Sequence, residues 1–400
     1  MTVFRFAPFR ALLLGLLLLV LSFKGQQELS VDTSFSLVVE LPSWVVAFKS
    51  AAEVLGVAFL FGYLLVSVTG RLKPAPYEVI GYVLVLAYYF IRSATLQSGS
   101  VTDLVALVIV VIFTFAVGSD LTKSGRLKQN ECSQTCQVRA LGIFFSGYVL
   151  AGSILFGTGY GYPQIGFRFV GVTYHPNAHG AYSALSAGYF LAAATAQRLS
   201  GKNYTYNGVL FVLSCLLVII SGSRTAFLMA TLAILLLSPL FAIVVAGFAS
   251  TVLFSFHMGV VDFGETGPIS GAIQRAATAT TGNRLEVWDI LISDFLADPI
   301  FGVGSSSGVS GSAILTSLAG GGLLAFLVFV SAFTSAFKKS IRNVFDFRRT
   351  GVVTTSIYAS VLFIEICIQG AFEGALFDRF SPIPLLTILL LYQIGQKAQN

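Results

Sequence analysis

The chain has 400 residues, 56% of them hydrophobic and only 10% charged, with a formal net charge of +6. Its mean hydropathy is +0.84, a balance foreign to soluble globular domains of this length, so the composition points to an integral membrane protein. Backbone polar groups left unpaired in lipid are too costly to tolerate, so segments this apolar cross as helices of about 20 residues, and the expected fold class is all-α and polytopic.

Taken in chain order, the apolar runs predict about twelve spans, near 8–23, 50–69, 77–96, 102–119, 139–158, 178–197, 207–221, 225–238, 240–257, 313–335, 352–371 and 382–396. The first follows Arg5 and Arg10 and has no small-residue cleavage pattern after it, so a retained anchor helix is expected rather than a signal peptide. Between the fifth and sixth runs lies Gly166-Phe167-Arg168-Phe169-Val170-Gly171-Val172-Thr173-Tyr174-His175-Pro176-Asn177-Ala178-His179-Gly180, leading into a span rich in Ala, Ser and Gly that favours close helix packing or a cavity. Ser221-Gly222-Ser223-Arg224-Thr225 divides the seventh run from the eighth. Ser238-Pro239 divides an overlong run from Ala226 to Phe256 into two helices joined by a proline turn.

Charge placement supports that division. With the N-terminus cytoplasmic, 16 of the 24 Lys and Arg residues fall in inside segments, and removing the division would put the basic stretch from Lys338 to Arg349 outside. Both termini are therefore expected in the cytoplasm, with residues 1–400 as one membrane domain. Asp262, Glu265, Glu286, Asp289, Asp294 and Asp298 collect in one long extracytoplasmic loop, 257–312. The positive net charge is mostly this topology signal, so membrane lipids are expected around the chain and no nucleic-acid partner.

The second half of the long loop repeats Leu285, Trp288, Ile292 and Phe295 at helical spacing, an amphipathic stripe with Arg284 at its first turn and Pro299, Gly302 and Gly304 at its end. The bland assignment is an interfacial helix with Arg284 paired to Glu286 or Asp289. Cys132 and Cys136 fall in a basic loop, and Cys215 and Cys367 in apolar spans, without metal-ligand spacing. No Gly-rich phosphate loop followed by Lys-Ser/Thr is present, no internal repeat is evident, and the sequon at Asn203 falls on the expected cytoplasmic side.

An arginine held at a membrane boundary is costly unless it faces a water-filled cavity and an anion. Arg224 and Arg284 are accordingly the leading catalytic candidates, a phosphate clamp in which the planar guanidinium fork suits phosphate oxygens better than a lysine does. Such cations neutralise the charge growing on a leaving diphosphate, so the clamp asks for no metal and no cofactor. Arg168 and Arg275 are further substrate-binding candidates. Asn177 and His179 sit where polar groups cap a helix or meet an anion, and a plain helix cap is the alternative for Asn177. His257, Glu265, His175 and His179 are candidates for a general base, unless positioning alone suffices. Glu53 and Glu365, inside apolar spans, are expected to be buried, hydrogen-bonded structural groups.

The segment Arg168 to Asn177, the Ser-Gly-Ser-Arg-Thr run, and Asn283-Arg284 followed by Trp288, Asp298-Pro299 and Gly302-Val303-Gly304 resemble the O-antigen ligase and O-antigen polymerase superfamily of bacterial membrane glycosyltransferases. The likeness covers roughly 140 to 335 and extends to the expected twelve-span topology. It implies a GT-C-like fold in the inner membrane, a glycan donor on undecaprenyl pyrophosphate, a glycan acceptor, transfer on the periplasmic side, and a chain-length regulator protein as partner. The ligase branch carries a His-Asn pair shortly before a helix that begins Leu-Ala-Glu-Gly-Gly-Leu. Here Gly311 and Ser312 stand at those two positions, ahead of Leu318-Ala319-Gly320-Gly321-Gly322-Leu323. The missing histidine shifts the expectation to a polymerase, with a ligase acting on lipid A core as the alternative and a polysaccharide or lipid transporter as the second.

Overall fold

The computed structural model describes residues 7–23, 41–68, 74–96, 101–122, 130–161, 169–173, 175–238, 284–304, 311–352, 354–378 and 381–395. The helices among them are α1 (Ala7–Phe23), α2 (Ser43–Ser67), α3 (Tyr77–Leu96), α4 (Val101–Thr122), α5 (Asn130–Gly157), α6 (Pro176–Leu199), α7 (Thr205–Ser221), α8 (Arg224–Leu237), α9 (Arg284–Ala297), α10 (Ala313–Thr350), α11 (Thr355–Phe372) and α12 (Pro382–Gly395), with a 3-10 turn at Ala375–Phe377. A helix occupies eleven of the twelve apolar runs; the run 240–257 lies outside the described residues, which contain no strand.

Six of these helices, α2, α3, α4, α5, α10 and α11, are long and apolar enough to cross a membrane. α1, α7, α8 and α12 are apolar but shorter; the 14 residues of α8 rise only about 21 Å, less than the roughly 30 Å hydrocarbon core. α6 has 24 residues whose Ala, Ser and Gly content makes it less apolar, yet it is buried without a break from His179 to Phe190. A helix buried on all sides belongs at the centre of a bundle.

Small residues set how closely the neighbours approach. Gly15 of α1 lies against Ala140 and Ile143 of α5, where an added Cβ would stand 2.8 Å from the Ala140 carbonyl oxygen, and Gly147 receives Leu19 in return. α1 is thus inside the bundle, with Leu14, Leu17 and Leu18 buried and Arg10 in a buried ion pair with Asp120. At this same end Lys339 Nζ and Ser335 Oγ each donate to Glu78 Oε1 at 2.6 Å, and Arg348 caps the α8 C-terminus through the Leu235 and Leu236 carbonyls. We call this the Lys339 end.

Several boundaries differ from the sequence expectation. α5 begins at Asn130, so Cys132 and Cys136 lie in a helix rather than a loop, and Cys136 is buried. α2 begins at Ser43, and Glu53 is on its exposed face rather than buried. In α9 the apolar stripe is rotated: Trp288 and Phe295 turn inward, but Leu285 is 55% and Ile292 44% exposed, while Leu291 is 2% exposed. Gly311 explains the rotation, since it opens a seat into which Val287 and Leu291 fit.

α10 is broken where the sequence suggested nothing. Gly322 has φ 65° and ψ −174° inside the helix, and the backbone groups freed there pair with the segment after α9: Val303 N–H donates to Ala319 O (2.9 Å), Gly304 N–H to Gly320 O (3.0 Å), and Leu323 N–H to Pro299 O (2.9 Å). Arg92 of α3 clamps that segment, with Nη2 on Asp298 Oδ2 (2.7 Å) and Nε on the Gly302 carbonyl (3.0 Å). An interruption inside an apolar helix is tolerated because protein, not lipid, takes its polar groups.

Candidate functional site

The run Ser221-Gly222-Ser223-Arg224 is a compact helix-to-helix turn. α7 stops because Gly222 takes the left-handed conformation (φ 58°, ψ 24°). Ser221 Oγ then accepts from Ser223 N–H (3.2 Å), and Ser223 Oγ accepts from Ala226 N–H (3.3 Å) as the N-cap of α8. Arg224 is therefore the first residue of α8, and its side chain is exposed.

That turn rests on the start of α6. Gly180 is the point of contact: a Cβ there would stand 2.7 Å from Ser221 Oγ and 2.7 Å from Ser223 Cβ. The loop ahead of α6 joins the same turn through Phe169 N–H to Ile220 O at 3.1 Å. On its other side, α6 meets the end of α11, where Asn177 Nδ2 donates to Glu373 Oε1 at 3.1 Å. Glu373 caps α11, one turn beyond Gly370, whose carbonyl receives Ser312 Oγ at 3.4 Å. Gly311, next to Ser312, carries the contact with Val287 and Leu291 in the first turns of α9.

A continuous set of contacts thus gathers the Arg224 turn, the start of α6, the end of α11, the start of α10 and the first half of α9 at one end of the bundle, the Arg224 end. Helices α6, α8 and α10 all present their N-termini there. Each N-terminus carries partial positive charge and unpaired N–H groups, so the surface favours an anion, and Arg224 adds a full charge. Glu373 supplies a half-buried carboxylate beside it.

The sequence candidates divide as follows. Asn177 stands in the first turn of α6, and the turn that carries Arg224 packs on Gly180, three residues further along. Arg284 begins α9 at this end; its side chain lies outside the described residues, as do Arg168, His257, Glu265 and Arg275. The helix cap is His175, whose Nδ1 accepts from Asn177 N–H at 3.2 Å, and the Asn177 side chain reaches Glu373 instead of capping. His179 is corrected from a surface group to an interior one. It is fully buried, its Nδ1 is 2.6 Å from Tyr148 Oη, and its ring is set between Gly152 and Gly171 with Phe169 edge-on at 4.9 Å. It supports the loop that leads to the site rather than lining the site.

Sequence reasoning missed Glu373, which no motif marks and which acquires a neighbour only when α6 and α11 meet. It also missed Arg92 and its clamp on Asp298. Among the described residues no group of three His, Cys, Asp or Glu side chains is arranged to hold a metal ion. No protein-family model matches the chain, and no curated protein matches it.

Proposed function

We propose that the chain is a bacterial inner-membrane glycosyltransferase that takes a glycan from undecaprenyl pyrophosphate and joins it to an acceptor sugar hydroxyl at the periplasmic face, as a polysaccharide polymerase. The observation that carries this reading is the seating of the Ser221–Arg224 turn on Gly180, with an exposed arginine at the end of the bundle where three helices begin. Arg224 holds the donor diphosphate, and Arg284, at the start of α9, closes on it from the long loop. The acceptor oxygen attacks the anomeric carbon as the bond to the diphosphate oxygen breaks, and the bonding pair leaves with the diphosphate. The two guanidiniums offset that developing charge. The proton from the acceptor hydroxyl passes to Glu373, the carboxylate that Asn177 orients.

The test is complementation of a gene deletion with Arg224→Ala, Arg284→Ala and Glu373→Gln, reading the surface glycan as a ladder on a gel and the protein level by blot. Removing one donor to a developing oxyanion costs on the order of 10²–10³ in rate, so each arginine variant is expected to leave single repeat units at unchanged protein level. Loss of every glycan from lipid A core indicates the ligase instead. A normal ladder in both arginine variants overturns the mechanism. The break at Gly322 favours a second reading as a transporter, since transporters use interrupted helices. In proteoliposomes supplied with carrier-linked donor and acceptor, the transferase makes glycosidic bonds without an imposed gradient, and a transporter makes none.

A further inference from the structure

Glu365 lies at mid-length in α11, is 0% exposed, and neither carboxyl oxygen has a hydrogen-bond partner. The expected hydrogen-bonded structural role is therefore not what is found. Among the described residues, the ion pairs of Arg10 with Asp120, Arg92 with Asp298 and Lys339 with Glu78 all leave Glu365 out. Gly188 of α6 is pressed against it, so closely that an added Cβ would stand 2.8 Å from Cδ and 2.9 Å from Oε1. Of the titratable groups around it, Cys215 of α7 lies within electrostatic reach. In the other helices packed on α11 the described charges include Arg224 at the start of α8, Arg198 near the end of α6, Arg139 on α5, next to the Val138 carbonyl that Tyr189 Oη reaches, and Lys338 onward on α10.

An unpaired carboxylate in an apolar interior is too costly to persist, whereas a neutral carboxyl forfeits only its hydrogen bonds. Polar groups also line up from Glu365 toward the Arg224 end. Glu365, Gln369 and Glu373 recur at four-residue spacing on one stripe of α11, spanning about 12 Å of rise. Gln369 is 4% exposed, and its Oε1 also has no partner. Opposite, Asn177 meets Glu373 and Gly188 meets Glu365, so the α6 stripe between them, at helical spacing, is the small residues Ala181 and Ala184. Toward the Lys339 end the stripe closes: Val361 and Leu362 are fully buried, and Tyr358 stacks near Tyr189 at 5.6 Å between ring centroids.

We propose that Glu365 is a proton-binding site inside the bundle, loaded and unloaded from the Arg224 end through Gln369 and Glu373 and sealed toward the Lys339 end. It shares Glu373 with the glycosyl-transfer reading but does not rest on it. Infrared difference spectroscopy on the reconstituted full chain tests it. A protonated-carboxyl C=O band is expected in the wild-type chain and absent in Glu365→Gln, an isosteric change that removes no hydrogen bond. In D2O that band shifts, and Gln369→Leu is expected to slow the shift by on the order of tenfold, the factor for a barrier raised by about 1.4 kcal/mol. Because a variant can fail to fold, carbodiimide modification of the wild-type chain, mapped by peptide mass, gives a variant-free reading: an adduct at Glu365 is expected. Absence of both the band and the adduct, or an exchange rate unchanged by Gln369→Leu, overturns the proposal.

Discussion

At the residue scale, the site depends on one missing side chain. Gly180 lets the Arg224 turn rest on α6, and a valine there would drive its methyls into Ser221 and Ser223, which have no space to yield because each is already committed to a cap. Gly180→Val is expected to abolish polymer in the glycan-ladder assay at a protein level near wild type, while Gly201→Val, in open space between α6 and α7, leaves it intact even though its backbone is strained (φ 69°). Equal ladders from the two variants would remove Gly180 from the argument. The place of Arg224 at a helix start was legible in the sequence because Ser-Gly-Ser spells a helix stop and a helix start in consecutive residues. The fate of His179 was not, because it is decided by Tyr148, Gly152 and Gly171, which approach it only in the folded bundle.

At the element scale, hydropathy located the helices but not their faces or their breaks. α9 carries Val287 and Leu291 as well as Leu285 and Ile292, so two overlapping stripes were equally apolar, and the choice fell to the cleft at Gly311. Gly320-Gly321-Gly322 resembled a motif in the sequence but gave no sign of an interruption, because the partner that satisfies the freed backbone lies some twenty residues earlier in the chain. Gly322 takes a conformation nearly confined to glycine, and an added Cβ would stand 2.7 Å from Gly302 N. Gly322→Ala is thus expected to destabilise the chain by on the order of 1–3 kcal/mol and to release the segment 298–304, read as a lowered Tm in detergent together with faster proteolysis near Asp298. Gly157→Ala, at the end of α5 with no neighbour for its Cβ, serves as the control and should leave both unchanged. If Gly322→Ala melts with the control and resists protease equally, the docking of 298–304 on α10 does not stabilise the molecule.

At the scale of the whole molecule, the two ends of the bundle differ in chemistry, and the difference bears on which way it faces. The Lys339 end gathers Lys338, Lys339, Arg342, Arg348 and Arg349 with the buried Arg10, whereas the Arg224 end holds the α6, α8 and α10 N-termini and Glu373. The rule that basic segments stay in the cytoplasm predicts that the Arg224 end faces outward. Contacts that took no part in the charge count agree with that grouping, since Arg348 at the end of α10 reaches the end of α8, an arrangement that requires both helices to run in the same direction from the Arg224 end. Orientation is decided by single cysteines placed in a chain with Cys132, Cys136, Cys215 and Cys367 replaced by serine. Thr158→Cys, exposed just after α5 at the Arg224 end, is expected to react in intact spheroplasts with a membrane-impermeant maleimide; Lys202→Cys, exposed between α6 and α7 at the other end, reacts only after the membrane is opened. The reverse pattern would place the anion-favouring surface in the cytoplasm, where a periplasmic transfer is impossible, and the clamp would have to be abandoned in its present sense while the contacts that build it, and the proton path from the Arg224 end, stood unchanged.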